Sequence, residues 1–334
     1  MQIVSYLQDS HDQLAVMIDG YLYNTDELHP DLPGSMGMFL NYWDDAVPIA
    51  MQAESSVRAG SFLQNRGIPL DSVQLLAPVP FPTSYRSACA FRQHAVAVSK
   101  NNGRTLTEEF EQFPVFGFAN HHSVQGPGEI TGMPDHLAAL DFELQAAIVI
   151  CRHGRNIPAE NADSYIAGLM IMNGISGRQL QKDEMCLNLG EAKGRDFFTS
   201  IGPLLVTLDE LEQFEIPAKQ NHTGKSWNLR MQCKINGQLV SEANLGDMDW
   251  TFAEIIERAS YGTDLHPGDL IGSGASGNGC FLELNLTGKL NNPGYSDQWL
   301  KVGDTIEMEI ERLGKLTNLV AAEESKWSIL DKKK

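Results

Sequence analysis

The stretch Leu140-Asp-Phe-Glu-Leu-Gln-Ala-Ala-Ile-Val-Ile150 decides how this chain folds. From Ala146 to Ile150 it is continuously apolar, the pattern of a strand buried on both faces. Just ahead of that run stand an acid, Glu143, and an amide, Gln145. Residues two apart on a strand point to the same face. Buried polar groups without partners are costly, so this pair calls for partners of its own. An internal hydrogen-bond network would supply them, and so would a ligand or a metal ion.

Outward from this strand, the pattern predicts a mixed α/β fold rich in β-structure. Residues 1–75 read as a small N-terminal α+β lobe, and residues 76–334 as the larger domain. Ile3–Tyr6, Leu14–Ile18 and Tyr21–Tyr23 read as short strands, with Asp19-Gly20 as a hairpin turn. Met36 to Arg66 turns helical, broken at Pro48 and stopped at Gly67. Pro78, Pro80 and Pro82 mark a stiff connection. A helix capped by Asn161 or Ser164 is expected to run through Met172. Asn236-Gly237 signals a second hairpin between strands read over Trp227–Ile235 and Gln238–Val240, and Thr305–Glu311 alternates apolar and acidic residues like a strand with one wet face.

Composition narrows the function classes. The chain has 334 residues, 42% of them hydrophobic and 20% charged, as expected for one or two globular domains. No apolar run is long enough to span a bilayer, and Met1-Gln-Ile-Val-Ser-Tyr lacks the pattern of a signal peptide. A cytoplasmic location is therefore the expectation. A net charge of −18 argues against nucleic acid and anionic membranes as partners. Lys332-Lys-Lys334 reads as a solvated tail. Five cysteines without close pairs read as free thiols rather than a disulfide framework or zinc site. The glycines at 272, 274, 277 and 279 lack the Lys-Ser/Thr ending of a phosphate loop.

Several further motifs follow in order. They are Arg92-Gln-His-Ala95, Met172-Asn-Gly-Ile-Ser-Gly-Arg-Gln-Leu-Gln181, Ala192-Lys-Gly-Arg-Asp-Phe-Phe-Thr-Ser-Ile-Gly-Pro203, Leu265-His-Pro-Gly-Asp-Leu-Ile-Gly-Ser-Gly274 and Val302-Gly-Asp-Thr-Ile-Glu-Met-Glu-Ile310. With the Glu143 strand they resemble the fumarylacetoacetate hydrolase family over roughly residues 80 to 322. The resemblance implies a rolled, β-sandwich-like catalytic domain with the site at one mouth, and a homodimer. It also implies hydrolysis of a C–C bond in a small 2-oxo or 1,3-dioxo acid. A magnesium or calcium ion would polarise the substrate oxygens, and a histidine would move the proton.

Carried over residue by residue, the resemblance makes His94 the general base, with Glu143 and Lys193 completing the catalytic set, and Glu143 and Gln145 the metal-facing pair. Lys193 falls at the lysine near the substrate carboxylate. Arg92, Arg178, Gln181, Thr199, Ser273 and Gly274 fall at substrate-binding positions. Departures are as informative as matches. Gln145 stands where the family has a second glutamate, and Gly174 where it has an aspartate. Ser87 replaces a further acid, and Ala97 and Ala275 leave the histidine without its usual neighbours, with Asn278 as a substitute partner. Glu143 then has a second reading, an ion pair with Lys193 or Arg178. His121-His122 is a candidate for rebuilding a metal site with Glu143. The alternative function is a repurposed member of the same fold: a metal-independent lyase or isomerase, or a ligand-binding subunit.

Overall fold

The computed structural model describes residues 1–60, 65–101, 103, 105–187 and 191–331, so the basic run 332–334 lies outside the described residues. Two sheets carry the fold. Leu144–Ile150 lies inside the larger one, between Ile166–Gly174 and Asp269–Gly272. Beyond Asp269–Gly272 come Ser84–Ala88 and the edge strand Phe116–Phe118. On the other side, Ile166–Gly174 pairs with Thr199–Thr207, which pairs with Gln2–Gln8 and so with the N-terminal hairpins. The strands Gln2–Gln8, His11–Ile18 and Tyr21–Asn24 thus extend the sheet whose central strand follows Glu143, and the helices Met36–Asn41 and Trp43–Arg58 come after them in the chain.

The continuous apolar run has a simple physical basis. Leu144, Ala146, Ile148 and Ile150 project to one face and pack with Met231, Met308 and Val320 of the five-stranded second sheet. Ala147 and Val149 project to the other and pack with Met36, Phe39, Leu40 and Ala50 of the N-terminal helices. With apolar layers on both sides, neither face has a place for a polar side chain. Glu143 and Gln145 fall on the helix side, at the end of the strand where the N-terminal layer gives way to a cleft.

Three local expectations change. Ile166–Gly174 is a strand, not a helix, with all nine residues buried. An apolar run of this length suits a central strand and a buried helix equally well, and pairing with strands on both sides decided it. The N-terminal helices are Met36–Asn41 and Trp43–Arg58. Their break is at Tyr42, and Pro48 lies inside the second helix. The strand read over Trp227–Ile235 is two pieces, Ser226–Trp227 and Arg230–Ile235. The Asp19-Gly20 and Asn236-Gly237 turns form as read, each with both residues at positive φ. Asp9-Ser10 turns the first hairpin the same way without a glycine.

Candidate active site

His94 sits in the first turn of the helix Arg92–Asn101. Its Nδ1 lies 2.7 Å from Oε2 of Glu283, a carboxylate only 3% exposed. Glu283 belongs to the first turn of the helix Phe281–Asn291. That helix starts where it does because its free N–H groups have partners. Asp141 accepts the amides of Phe281 and Leu282 at 2.7 and 3.0 Å, and the Cys280 sulfur accepts that of Glu283. Asp141 is therefore a structural acid. With Nδ1 committed to Glu283, Nε2 is the ring nitrogen left to carry a proton to or from a ligand.

The second group centres on Glu143, buried at the start of the central strand. Its Oε1 accepts from Arg178 at 2.9 Å. Its Oε2 accepts from Arg195 at 2.7 Å and from the Gln145 amide at 2.7 Å. Burial alone would raise its pKa, but Arg195, Arg178 and His94 outweigh burial and hold the carboxyl below its ordinary value. Arg178 is locked: it also donates to Asp141 at 2.8 Å and to Gln181 at 2.8 Å. Arg195 is held by Glu143 and, at 3.1 Å, by Glu191.

Arg195 reaches this position through a tight turn. The Glu184 carboxylate accepts the amides of Ala192, Lys193 and Gly194. The amides of Arg195 and Asp196 bond back to the Ala192 carbonyl. Pinned this way, the turn sends residues 193 and 195 in different directions. Lys193 is 57% exposed and pairs with Asp196 at 2.8 Å, whereas Arg195 points inward.

His94, Glu143 and Arg195 line one cavity of about 560 Å³ together with Ser87, Cys89 and Phe116. Gly274 forms part of its wall. There φ is +80°, and a Cβ would lie 2.1 Å from the Ala88 carbonyl, so only glycine fits. Its amide donates to Gln145 Oε1 at 3.1 Å.

The donor set does not fit magnesium or calcium, which need several free oxygens. Both oxygens of Glu143 and both polar atoms of Gln145 are already engaged. Gly174 has no side chain, and a Cβ there would meet Gln145 Nε2 at 2.8 Å and Glu143 Oε2 at 3.1 Å. Arg195 Nη2 already sits on Glu143 Oε2, the place a metal ion would take, and the guanidinium repels a dication there. Among the described residues, one group of metal-ligand type converges, His94, Cys280 and Glu283, within 4.8 Å. One carboxylate with an imidazole and a buried thiol is not the oxygen-rich cage that magnesium or calcium takes. His121 and His122 lie on a short 3₁₀ turn and do not line the cavity.

The family profile described as fumarylacetoacetate (FAA) hydrolase C-terminal matches residues 83–321. The chain belongs to the fumarylacetoacetate hydrolase family. The oxaloacetate tautomerase Fahd2a, mitochondrial, of Rattus norvegicus is 27% identical, over 94% of this chain and 88% of the relative. The oxaloacetate tautomerase YisK of Bacillus subtilis is 27% identical, over 86% and 87%. Among solved structures, the fumarylacetoacetate hydrolase of Exiguobacterium antarcticum superposes with a TM-score of 0.67 at 23% identity, over 97% of this chain and 100% of that one. The maleylpyruvate hydrolase of Sphingobium sp. SYK-6, solved with manganese(II) and pyruvate, gives 0.67 at 18% identity with the same coverage. These two structural likenesses bear on the fold.

Within that family frame, the residues singled out from sequence separate into groups. His94, Glu143 and Gly274 meet at the cavity. Gln145, Arg178 and Gln181 lie beneath it, joined to Glu143 directly or through Arg178. Ser273 is fully buried and accepts the Ala146 amide, and Thr199 is a buried strand residue paired with Gly174. Lys193 points to solvent. Arg92 is held on the surface by Glu111 and Asp249. The histidine's partner is Glu283, not Asn278, and the pocket cation is Arg195, not Lys193. The Glu283 signal was present in Cys280-Phe-Leu-Glu283, a side-chain cap with an acid at the third helical position. Nothing in the sequence marked Arg195 beyond its place in the Lys-Gly-Arg-Asp turn.

Proposed function

We propose that this chain catalyses proton transfer on a small 2-oxo acid, interconverting its keto and enol forms. The observation that supports this most is one cavity lined by His94, whose ring is held from behind by Glu283, and by the Glu143–Arg195 pair. The His94 imidazole takes a proton from the carbon beside the ketone. The electron pair moves to the carbonyl oxygen, and the imidazolium returns the proton to that oxygen. No water is consumed and no carbon–carbon bond breaks. Glu283 orients the ring and stabilises its charged form. Arg195 supplies a cation for a carboxylate.

Hydrolysis of a C–C bond in an acylpyruvate-like acid, expected from sequence, is the second reading. It uses the same His94 to activate water, and the cavity has room for one. Both reactions pass through an enolate and need a cation at the ketone oxygen; hydrolysis needs a positioned water besides. The names of the oxaloacetate tautomerases support the first reading. Oxaloacetate and an acylpyruvate, each assayed with wild type and His94→Asn, separate the two. Enolisation without cleavage supports the proposal; cleavage of the acylpyruvate as the faster reaction rejects it. We further propose a homodimer and a cytoplasmic location, checked by light scattering and by cell fractionation.

A further inference from the structure

We propose that the guanidinium of Arg195 is the resident cation of this site, standing where the family resemblance places a divalent metal, and that it binds the substrate oxygens without one. This rests on the 2-oxo-acid reading above. Positions 143, 145 and 174 do converge: Glu143 and Gln145 are hydrogen-bonded, and the Cα–H of Gly174 points at both. Of the three, only Glu143 carries charge, and Arg195 Nη2 sits on its Oε2.

The charges are matched to a monocation. A guanidinium brings one positive charge where a metal ion brings two, and the set has correspondingly fewer carboxylates. Glu143, Glu191 and Asp141 share Arg178 and Arg195, with Asp141 also committed to the amides of a helix N-terminus. The two arginines are not equivalent. Arg178 engages three acceptors and does not line the cavity. Arg195 lines the cavity and bonds two acceptors among the described residues, which leaves three of its five N–H donors for a ligand. Its planar fork grips two oxygens side by side, the arrangement that the ketone and carboxylate of a 2-oxo acid present. Fixed by two carboxylates, it is aimed before the ligand arrives.

Calorimetry with oxalate, a mimic of the enolised 2-oxo acid, tests the inference on the full chain dialysed against EDTA. Wild type is expected to bind oxalate in EDTA, with an affinity changed less than about twofold by added magnesium or manganese. Arg195→Ala should bind at least about tenfold more weakly, the loss of a charge-assisted contact, and neither metal should restore it. Arg195→Lys should fall between them. Oxalate binding that requires a metal, or that survives Arg195→Ala unchanged, overturns the inference. If Arg195→Ala does not fold, the wild-type titrations decide alone: micromolar binding of either metal overturns it, and metal-free oxalate binding supports it. Metal-free oxalate binding without His94-dependent enolisation would reject the proton-transfer reading and leave the resident cation standing. Enolisation that needs a metal would do the reverse.

Discussion

Replacing Arg178 by Met should destabilise the fold by about 3 to 5 kcal/mol, the cost of removing one partner from a buried ion pair. Methionine fills much of the space of the arginine stem, so the loss is chiefly electrostatic. Two carboxylates lose a partner at once, Asp141 and Glu143, both within 4% of full burial. The loss is bounded because neither is stranded. Asp141 keeps the amides of Phe281 and Leu282, and Glu143 keeps Arg195 and Gln145. Gln181→Met, which removes a single acceptor of Arg178, should cost about 1 kcal/mol. Urea titration followed by tryptophan fluorescence measures both. The pH dependence has a definite sign. The Glu143 carboxyl is held below its ordinary value, so its stabilisation is present above about pH 4.3 and is lost as pH falls through its folded value. Without Arg178 that depression shrinks, so the penalty should be largest near neutral pH and narrow in acid. A loss below about 1 kcal/mol at pH 7 would refute the view that Arg178 clamps the floor of the site rather than reaching for substrate.

Three further outcomes follow from the same geometry. Glu283→Gln, which removes a charge-assisted bond to His94, should lower kcat about 10- to 150-fold with KM within about twofold; steady-state kinetics on oxaloacetate check it, and an unchanged kcat would contradict it. Gly174→Asp alone should cost about 1 to 3 kcal/mol, because its Cβ enters the space of Gln145 and Glu143, and should gain no magnesium binding. Magnesium binding by calorimetry is expected only when Gln145→Glu and Arg195→Ala are added. Brief iodoacetamide treatment at pH 8, read by mass spectrometry, should label the exposed Cys186 ahead of Cys89, whose thiol burial pushes up to about 11.

Much of the fold was legible because its signals are local. The apolar run at 146–150 demands two covering layers, and Asn-Gly and Asp-Gly at hairpin ends demand left-handed backbone. Ile166–Gly174 was misread for a reason of physics rather than of pattern. Its neighbours in the sheet, Leu144–Ile150 and Thr199–Thr207, are distant in sequence, and nothing within the run itself distinguishes a strand from a buried helix. The site was half legible. His94 and Glu143 sit inside motifs that name them. Glu283 lies on a helix 189 residues from the ring it orients, and its identity depends on how two helices pack. Arg195 is two residues from Lys193, in the same turn. Which of the two faces inward is set by Glu184, whose carboxylate fixes the turn from outside the motif.

The measurement that bears most directly on the function is exchange of the C3 hydrogens of oxaloacetate into deuterium oxide, followed by NMR in EDTA, for wild type and His94→Asn. The expected result is protein-catalysed exchange that persists in EDTA and falls at least about a hundredfold in the variant, the usual contribution of a general base. Exchange that is equally fast in His94→Asn would contradict the proton-transfer function; exchange absent from wild type until a metal is supplied would contradict the metal-free site.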